Sequence, residues 1–471
     1  MPTKIIISTT PEETRMGLVT ANKLMEYIVE RNSEKHLVGS IFSGKVNNVV
    51  RGIQAAFVDL GREQNAFLYL GEKLDVTEGQ TVLVQITKDA RGTKGPTATR
   101  EITLPGRYVV LLPFADYIGV SHKIESKEER LRLKQLVEEY KPAGKGFVIR
   151  TVAAGVASAD LQTDMQQLVT TWKVVAARAK HGQAPLLLHR ELDLSVRIVR
   201  DYLTTQVEQI ILDDPAVHKR VCELLQAIGG QHLEKICLYA GKDDIFTNYQ
   251  LDEQIAGISD RKVWLSCGGY LVIDYTEAMT VIDVNSGKFS GQANLEETIM
   301  QINREAAVEI ARQLQLRDIG GIVVVDFIDM HTKAHQEEIL ELLGTVLAQD
   351  KMKPRVQDLT VLNLVEITRK KARQNLSTVL YSTCPTCQGS GRVQSPETIS
   401  IEIKRRLRTF MSKRLAARKL LIQVHPLVAN WLLQHEVKAM ERELSCYITV
   451  EADAAMHVEA FAILDNTSVD K

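Results

Sequence analysis

The sequence predicts a multidomain α/β protein with a small β-barrel near its amino end. Three observations predict it. The chain has 471 residues, more than one hydrophobic core usually organises. Residues 37 to 100 read as short strands joined by glycine turns: VGSIFSGKVNNVV, AAFVDLG, NAFLYL and GQTVLVQIT. Residues 263–350 instead alternate apolar strands with amphipathic helices, the pattern of an α/β layer with buried central strands.

In chain order, IIISTT and TRMGLVT suggest a β-hairpin, and EYIVER continues in strand character. The glycine-punctuated segment then reads as a closed barrel of the OB kind. Strands RYVVLLP and GFVIRT flank the helical pattern KEERLRLKQLVEEY. Residues 159–181 carry apolar side chains at spacings of three and four, which predicts a helix, and further helices are expected near 194–212 and 216–228. The α/β part reads as two strands (VWLSCGGYLVIDY and MTVIDVN), a helix (ETIMQINREAAVEIARQLQLR), a strand (GGIVVVDFIDM) and a helix (AHQEEILELLGTVLAQD). The element CPTCQGSG separates it from a mixed α and β region over 396–471. Internal repeats and low-complexity tracts are absent.

Hydrophobic content of 45% and charged content of 25% are those of an ordinary globular protein. No apolar run approaches the roughly 18 residues a membrane span needs, and MPTKIIISTTPEETR is too weakly apolar for a signal peptide. Six cysteines in so long a chain do not make a disulfide framework, so a reducing cytoplasm is expected. The formal net charge of −1 supplies no global pull on a polyanion. Local basic patches would have to do that, and TRKKAR (368–373) and IKRRLRTFMSKRLAARK (403–419) are the candidates. Each also reads as the solvated face of a helix.

The stretch VIDVNSGKFSG, residues 281–291, places Asp283 and Asn285 two apart in an apolar strand, hence on one face. A later strand ends VVVDFIDM, where Asp326 and Asp329 fall on opposite faces by the same count. If these strands are neighbours, Asp283, Asn285 and one later aspartate converge at the sheet's carboxyl edge, where open α/β sheets place ligands. Two carboxylates and an amide are hard-oxygen donors suited to magnesium or manganese. The alternative is a turn cap and edge-strand polarity. His331 and His335 are a second pair on one helical face, without an HExxH pattern around them.

CPTC, residues 384–387, has the shape of half a zinc site. Cys222, Cys237, Cys267 and Cys446 stand alone in apolar settings. A second copy of the chain would complete the tetrahedron, with Cys384 and Cys387 from each subunit on a twofold axis. A redox pair or a ligand-free turn are the alternatives; a thioredoxin-like strand–helix context is missing around the motif.

VIDVNSGKFSG, GGIVVVDFIDM, the CPTC knuckle and the barrel run AAFVDLG…NAFLYL stand in the order seen in the ribonuclease E/G family. The chain resembles that family from about residue 5 to its end. The missing arginine- and proline-rich tail resembles its shorter G type rather than its E type. The resemblance implies a magnesium-dependent endoribonuclease acting on single-stranded RNA, with a preference for 5′-monophosphorylated ends and work in rRNA and tRNA maturation and mRNA decay. It implies an RNase H-like subdomain over 1–35 and 195–258, with an OB-type RNA-binding barrel inserted at 36–100. A 5′-phosphate sensor region at 101–194, a DNase I-like catalytic domain at 259–380, a zinc-link at 381–395 and a small C-terminal domain at 396–471 complete the expected layout.

Carried over residue by residue, the resemblance assigns catalysis to Asp283, Asn285 and Asp326, with magnesium on the two aspartates. Zinc falls to Cys384 and Cys387, shared between subunits of a homodimer, which the family's usual assembly can pair again into a homotetramer. Arg150 and Thr151 match the 5′-phosphate pocket, Gly106 and Val110 its wall, and Lys353 a position where relatives carry arginine. Phe57 and Phe67 match base-stacking aromatics and Lys94 a basic contact. From the residues alone, Phe67 could equally be barrel core. The competing readings are a non-catalytic RNA-binding protein, a core of the family's E type, and a nuclease or phosphotransferase acting on DNA or nucleotides at the same metal site.

Overall fold

Hydrophobic alternation at the amino end builds a meander of three antiparallel strands, Thr3–Thr9, Glu13–Thr20 and Lys23–Arg31. A computed structural model of the chain describes residues 3–31, 37–71, 75–90, 94–227, 229–230, 232–287, 295–371, 376–413 and 419–465. The chain divides into two units, Met1–Val379 and Leu380–Lys471.

Two parallel strands from far along the chain, Val207–Leu212 and Ile236–Leu238, extend that meander beside Thr3–Thr9. Helices Leu194–Tyr202 and Pro215–Ala227 bury their apolar stripes on the sheet, through Val199, Val217 and Val221 among others. The helix expected over 194–212 therefore stops at Tyr202. The run VEQIIL that follows is rich in β-branched residues, and the sheet beside it provides the partner that makes it a strand.

The barrel is mixed in pairing and closed. Ile41–Val50 pairs with Ala55–Asp59 on one side and with Thr81–Lys88 on the other, and Ala66–Tyr69 and Thr97–Thr99 complete five strands. Leu186–His189 adds to the outside of Ile41–Val50. Phe42, Val46, Ala56, Val58, Ala66, Leu68 and Val84 fill the interior. Next to it a four-stranded sheet (Leu104–Pro105, Val109–Leu112, Gly146–Ile149, Ile118–Val120) shares its core with helices Lys127–Tyr140 and Ser158–His181.

The α/β part is a six-stranded sheet in the order Lys262–Trp264, Tyr270–Tyr275, Met279–Asn285, Gly321–Asp326, Leu364–Arg369, Arg355–Leu359. Only Met279–Asn285 and Gly321–Asp326 run parallel, joined by the crossover helix Leu295–Leu316. That helix and Lys333–Leu347 cover one face, burying Leu271, Ile273, Ile282, Val284, Val323 and Val325. The stretch 263–275 is two strands rather than one, because Leu265–Gly269 turns back with Gly268 at φ 95°. The described part of TRKKAR, 368–371, is not helical either: Thr368 and Arg369 end a strand, and Arg369 is buried between Asp350 and Asp318 at 2.7 and 2.8 Å.

In the second unit, Lys419–Val424 lies between Tyr447–Ala452 and Phe461–Asp465, backed by helix Pro396–Lys413. That helix buries Ile399, Ile403 and Leu407, and its Lys404 and Arg408 both pair with Glu443. Within the second basic run Lys404, Arg406 and Arg408 are thus ion-paired on the helix. Among the described residues no helix is long and apolar enough to cross a membrane.

Candidate active site

The parallel register places Asp283 directly opposite Asp326. Both point away from the helices, since their neighbours Ile282, Val284 and Val325 fill the core, and both are exposed. Asn285, two residues on, donates from Nδ2 to Asp283 Oδ2 at 2.8 Å. Partial burial holds the Asp326 carboxyl above the usual carboxylate range, and the charges of Asp283 and Asp329 push it the same way. Asp329 lies in the loop after the strand, so the residue in register with Asp283 is Asp326.

Two features fix this edge. Asn303, wholly buried on the crossover helix, donates from Nδ2 to the Ile328 carbonyl at 2.9 Å and accepts the Ile328 N–H at 3.2 Å. It ties down the backbone between Asp326 and Asp329. At the end of the other strand, Gly287 has φ 62°, and a Cβ there would stand 2.5 Å from the Gly268 carbonyl oxygen, so glycine is required. Lys288 lies outside the described residues.

Arg150 follows the strand Gly146–Ile149 and opens the short turn Thr151–Ala153. Its Nη1 donates to the Gly106 carbonyl at 2.6 Å and its Nη2 to Asp201 Oδ1 at 2.7 Å. Burial alone would raise the Asp201 carboxyl, but Arg200 and Arg150 outweigh it and hold the pKa below the usual value. The Thr151 hydroxyl is 2.8 Å from that of Ser121. Gly106 cannot carry a side chain, because its Cβ would meet both Asp164 carboxylate oxygens at 2.6 Å. Asp164 is itself buried and accepts the N–H groups of Arg107, Tyr108 and Val109, which shapes the loop entering Val110's strand. Val110 is half-buried opposite Val148.

Lys353 is exposed on the turn after helix Lys333–Leu347, and no hydrogen bond or ion pair among the described residues joins it to Arg150. The same turn does reach this region through Lys351, whose ammonium lies 2.8 Å from the ring centroid of Tyr202, the neighbour of Asp201.

On the barrel, Phe57 and Phe67 are register partners with ring centroids 6.0 Å apart. Ala56, Val58, Ala66 and Leu68 fill the interior, so both rings lie on the outer face and are half-buried. Core packing is therefore not their role. Tyr69, two residues beyond Phe67 on the same face, is 61% exposed. Lys94 is exposed at the start of the segment whose Thr97 pairs with Phe67.

Comparison with known proteins supplies the lineage. Residues 103–372 match the family model described as Ribonuclease E/G family. This chain belongs to the ribonuclease E/G family. Ribonuclease G of Escherichia coli is 36% identical over 98% of this chain and 100% of its own length. Ribonuclease G of Haemophilus influenzae is 38% identical over 94% of this chain and 95% of its own. Ribonuclease E of the latter organism is 33% identical over 100% of this chain, which spans 53% of that longer protein.

Residues 383–466 match a second model, the thioredoxin-like domain of the ribonuclease E/G family. Within it the CPTC motif sits in an exposed turn, and the next helix begins only at Pro396. Backbone N–H groups of Cys387 and Thr386 pull the Cys384 thiol below its ordinary value, which favours thiolate. Gln388 N–H bonds the Cys384 carbonyl at 2.8 Å, holding the two cysteines on one tight loop. His457 Nε2 bonds the Thr386 carbonyl at 2.7 Å. Among the described residues no cluster of three or more His, Cys, Asp or Glu side chains forms around it.

Asn303, Asp201, Asp164 and Tyr69 were not singled out in the sequence. Asn303 carries a readable signal, an amide inside the apolar stripe of QINREAAVEIARQL, and Tyr69 sits at strand spacing from Phe67. Asp201 and Asp164 lie 51 and 58 residues from Arg150 and Gly106, and only the fold joins them.

Two carboxylates opposed across a parallel ladder repel each other when no cation separates them. Asp283→Asn should therefore raise the melting temperature of the divalent-free protein at neutral pH, by up to about 1 kcal/mol of stability. The folded Asp326 carboxyl holds its proton to higher pH than an unfolded one, so this strain is absent at low pH and grows as pH rises through the carboxylate range. The variant's advantage should follow the same course in a thermal melt. Added magnesium should raise the melting temperature of the parent and leave that of Asp283→Asn nearly unchanged.

Proposed function

We propose that the open face of the six-stranded sheet cuts single-stranded RNA, with magnesium held by Asp283 and Asp326. As a member of the ribonuclease E/G family the chain is an endoribonuclease, and the reading concerns which residues do the work. One observation carries it: the register that sets Asp283 opposite Asp326 with Asn285 bonded to the first. The donor set suits magnesium, a hard cation that takes one or two carboxylates and fills its shell with water and substrate phosphate. When bound, the ion neutralises charge developing on the phosphodiester and acidifies water.

The chain's own groups bind and orient. Asp283 and Asp326 would hold the metal, and Asn285 holds the Asp283 carboxylate while its amide orients the scissile phosphate or the attacking water. Water adds in line to phosphorus, the P–O3′ bond breaks, and the water's proton ends on the departing 3′ oxygen. The products carry 5′-phosphate and 3′-hydroxyl ends.

The same reading makes Arg150 and Thr151 a 5′-monophosphate sensor, with Gly106 and Val110 as its wall and Lys353 as an added charge. The guanidinium is already aimed by the Gly106 carbonyl, and a terminal phosphate would compete with Asp201 for its other edge. Phe57 and Phe67 stack bases on the RNA-binding barrel, at about 1–3 kcal/mol per base, and Lys94 meets the backbone. The sheet with Thr3–Thr9 is the RNase H-like scaffold and the six-stranded sheet the DNase I-like catalytic layer. Cys384 and Cys387 from two subunits hold one zinc as the link of a homodimer, which can pair into a homotetramer. The setting is the cytoplasm, in rRNA and tRNA maturation and mRNA decay.

The test uses one unstructured oligoribonucleotide bearing either a 5′-monophosphate or a 5′-triphosphate, with magnesium. The parent should cut the monophosphate faster. Asp326→Asn should cut neither while still binding both, and Arg150→Ala should cut both at the parent's triphosphate rate, a loss of about tenfold for one charge-assisted contact. Cleavage by Asp326→Asn at the parent's rate would refute the site. For the link, Cys384→Ser should lose zinc and sediment as a monomer; a zinc-loaded dimer would refute shared ligation.

A further inference from the structure

The sheet face that carries the acids also carries an aromatic pair. Successive register pairs put Lys262 opposite Val272, Val272 opposite Asp283, and Asp283 opposite Asp326, a single row across four strands. Two residues along, Trp264 lies opposite Tyr270 and Tyr270 opposite Asn285. Side chains two apart share a face, and residues in register across a ladder do too. Trp264, Tyr270 and Asn285 therefore stand on the open side with Asp283 and Asp326, while Val263, Leu271 and Val284 face the helices.

Neither ring is doing core work. Of the chain's three tryptophans, Trp172 is buried and Trp431 partly so, but Trp264 is 58% exposed. Its ring meets Tyr270 edge-on at 5.3 Å. The Lys262 ammonium lies 3.9 Å from the Trp264 ring centroid and 3.6 Å from that of Tyr270. Three side chains thus hold one another upright, and more than half of the indole remains in solvent. Braced in this way, the indole presents an open π face on which another ring can stack.

We propose that Trp264, braced by Tyr270 and Lys262, is a nucleobase-stacking subsite for the RNA strand being cut. This rests on the reading of Asp283 and Asp326 as the site of cleavage. Trp264 is two strand spacings from Asn285, roughly 10 Å. By the same spacings it stands roughly 12 Å from Asp283 and roughly 16 Å from Asp326, a span that about two nucleotides of an extended strand cover. Stacking serves any base, because each has a π face, and so suits an enzyme that grips unpaired RNA. Lys262 supplies the positive charge that the phosphates need beside two aspartates. The grip lies on the catalytic sheet itself and is separate from the aromatics of the barrel.

The experiment uses the full-length protein and a set of 5′-monophosphorylated oligoribonucleotides with one cleavage site, each carrying one abasic nucleotide at a different position around it. The parent should lose about tenfold in kcat/KM when the abasic unit falls at one position near the cut, the worth of one base stack. Trp264→Ala should cut the unmodified RNA about tenfold more slowly and be indifferent to that position, while Trp264→Phe keeps the parent's profile. Trp264→Ala with the parent's rate and profile would overturn the subsite. So would a loss that is equal for every substrate, which marks a structural role, or loss of self-association with cleavage unchanged, which marks a protein contact. Asp326→Asn, run alongside, reports on the cleavage site alone. If Asp326→Asn is inactive and Trp264→Ala is unaltered, the site stands and the subsite falls.

Discussion

The proposed site depends on one register, the parallel pairing of Met279–Asn285 with Gly321–Asp326. Parallel neighbours need a crossover, and the helix Leu295–Leu316 supplies it while burying its stripe on the sheet's other face. A slip by one residue would send Asp283 into the core and Ile282 into solvent, which the burial of Ile282, Val284, Val323 and Val325 forbids. Hydrophobic burial thereby fixes the position of two like charges that gain nothing from each other. Asn303 and Gly287 then set the loops at the two strand ends.

The other proposed stations are built on the same division, with packing on one face and chemistry on the other. The barrel fills its interior with small and aliphatic residues and turns Phe57, Phe67 and Tyr69 outward. The Arg150 region is held differently, by buried acids. Asp164 shapes the loop that makes Gly106 obligatory, and Asp201 with Arg200 sets the charge around the guanidinium. Arg150 is already satisfied by Asp201, so any terminal phosphate would have to compete with that carboxylate.

Much of this was legible in the residues, and the failures have physical causes. Strand alternation alone put Asp283 and Asn285 on one face, and a small closed barrel showed in its glycine-punctuated short strands. Alternation could not choose between Asp326 and Asp329, because the strand ends at Asp326 and the count ceases to apply. VEQIIL passed for helix since a short apolar run fits both periods, and only the neighbouring strand Thr3–Thr9 resolves it. TRKKAR looked like a surface patch, yet Arg369 is buried between Asp318 and Asp350, partners 51 and 19 residues away. Whether Phe67 faces in or out depended on barrel closure, a long-range property that no window of sequence contains.

Everything proposed for the open sheet face turns on Asp283 and Asp326 forming one divalent-cation site. Manganese has the same taste for oxygen donors as magnesium and scatters anomalously, so crystals soaked in manganese test the claim directly. An anomalous peak is expected between the two carboxylates, and it should disappear in Asp283→Asn. A peak elsewhere on the chain, or none between them at saturating manganese, would contradict it.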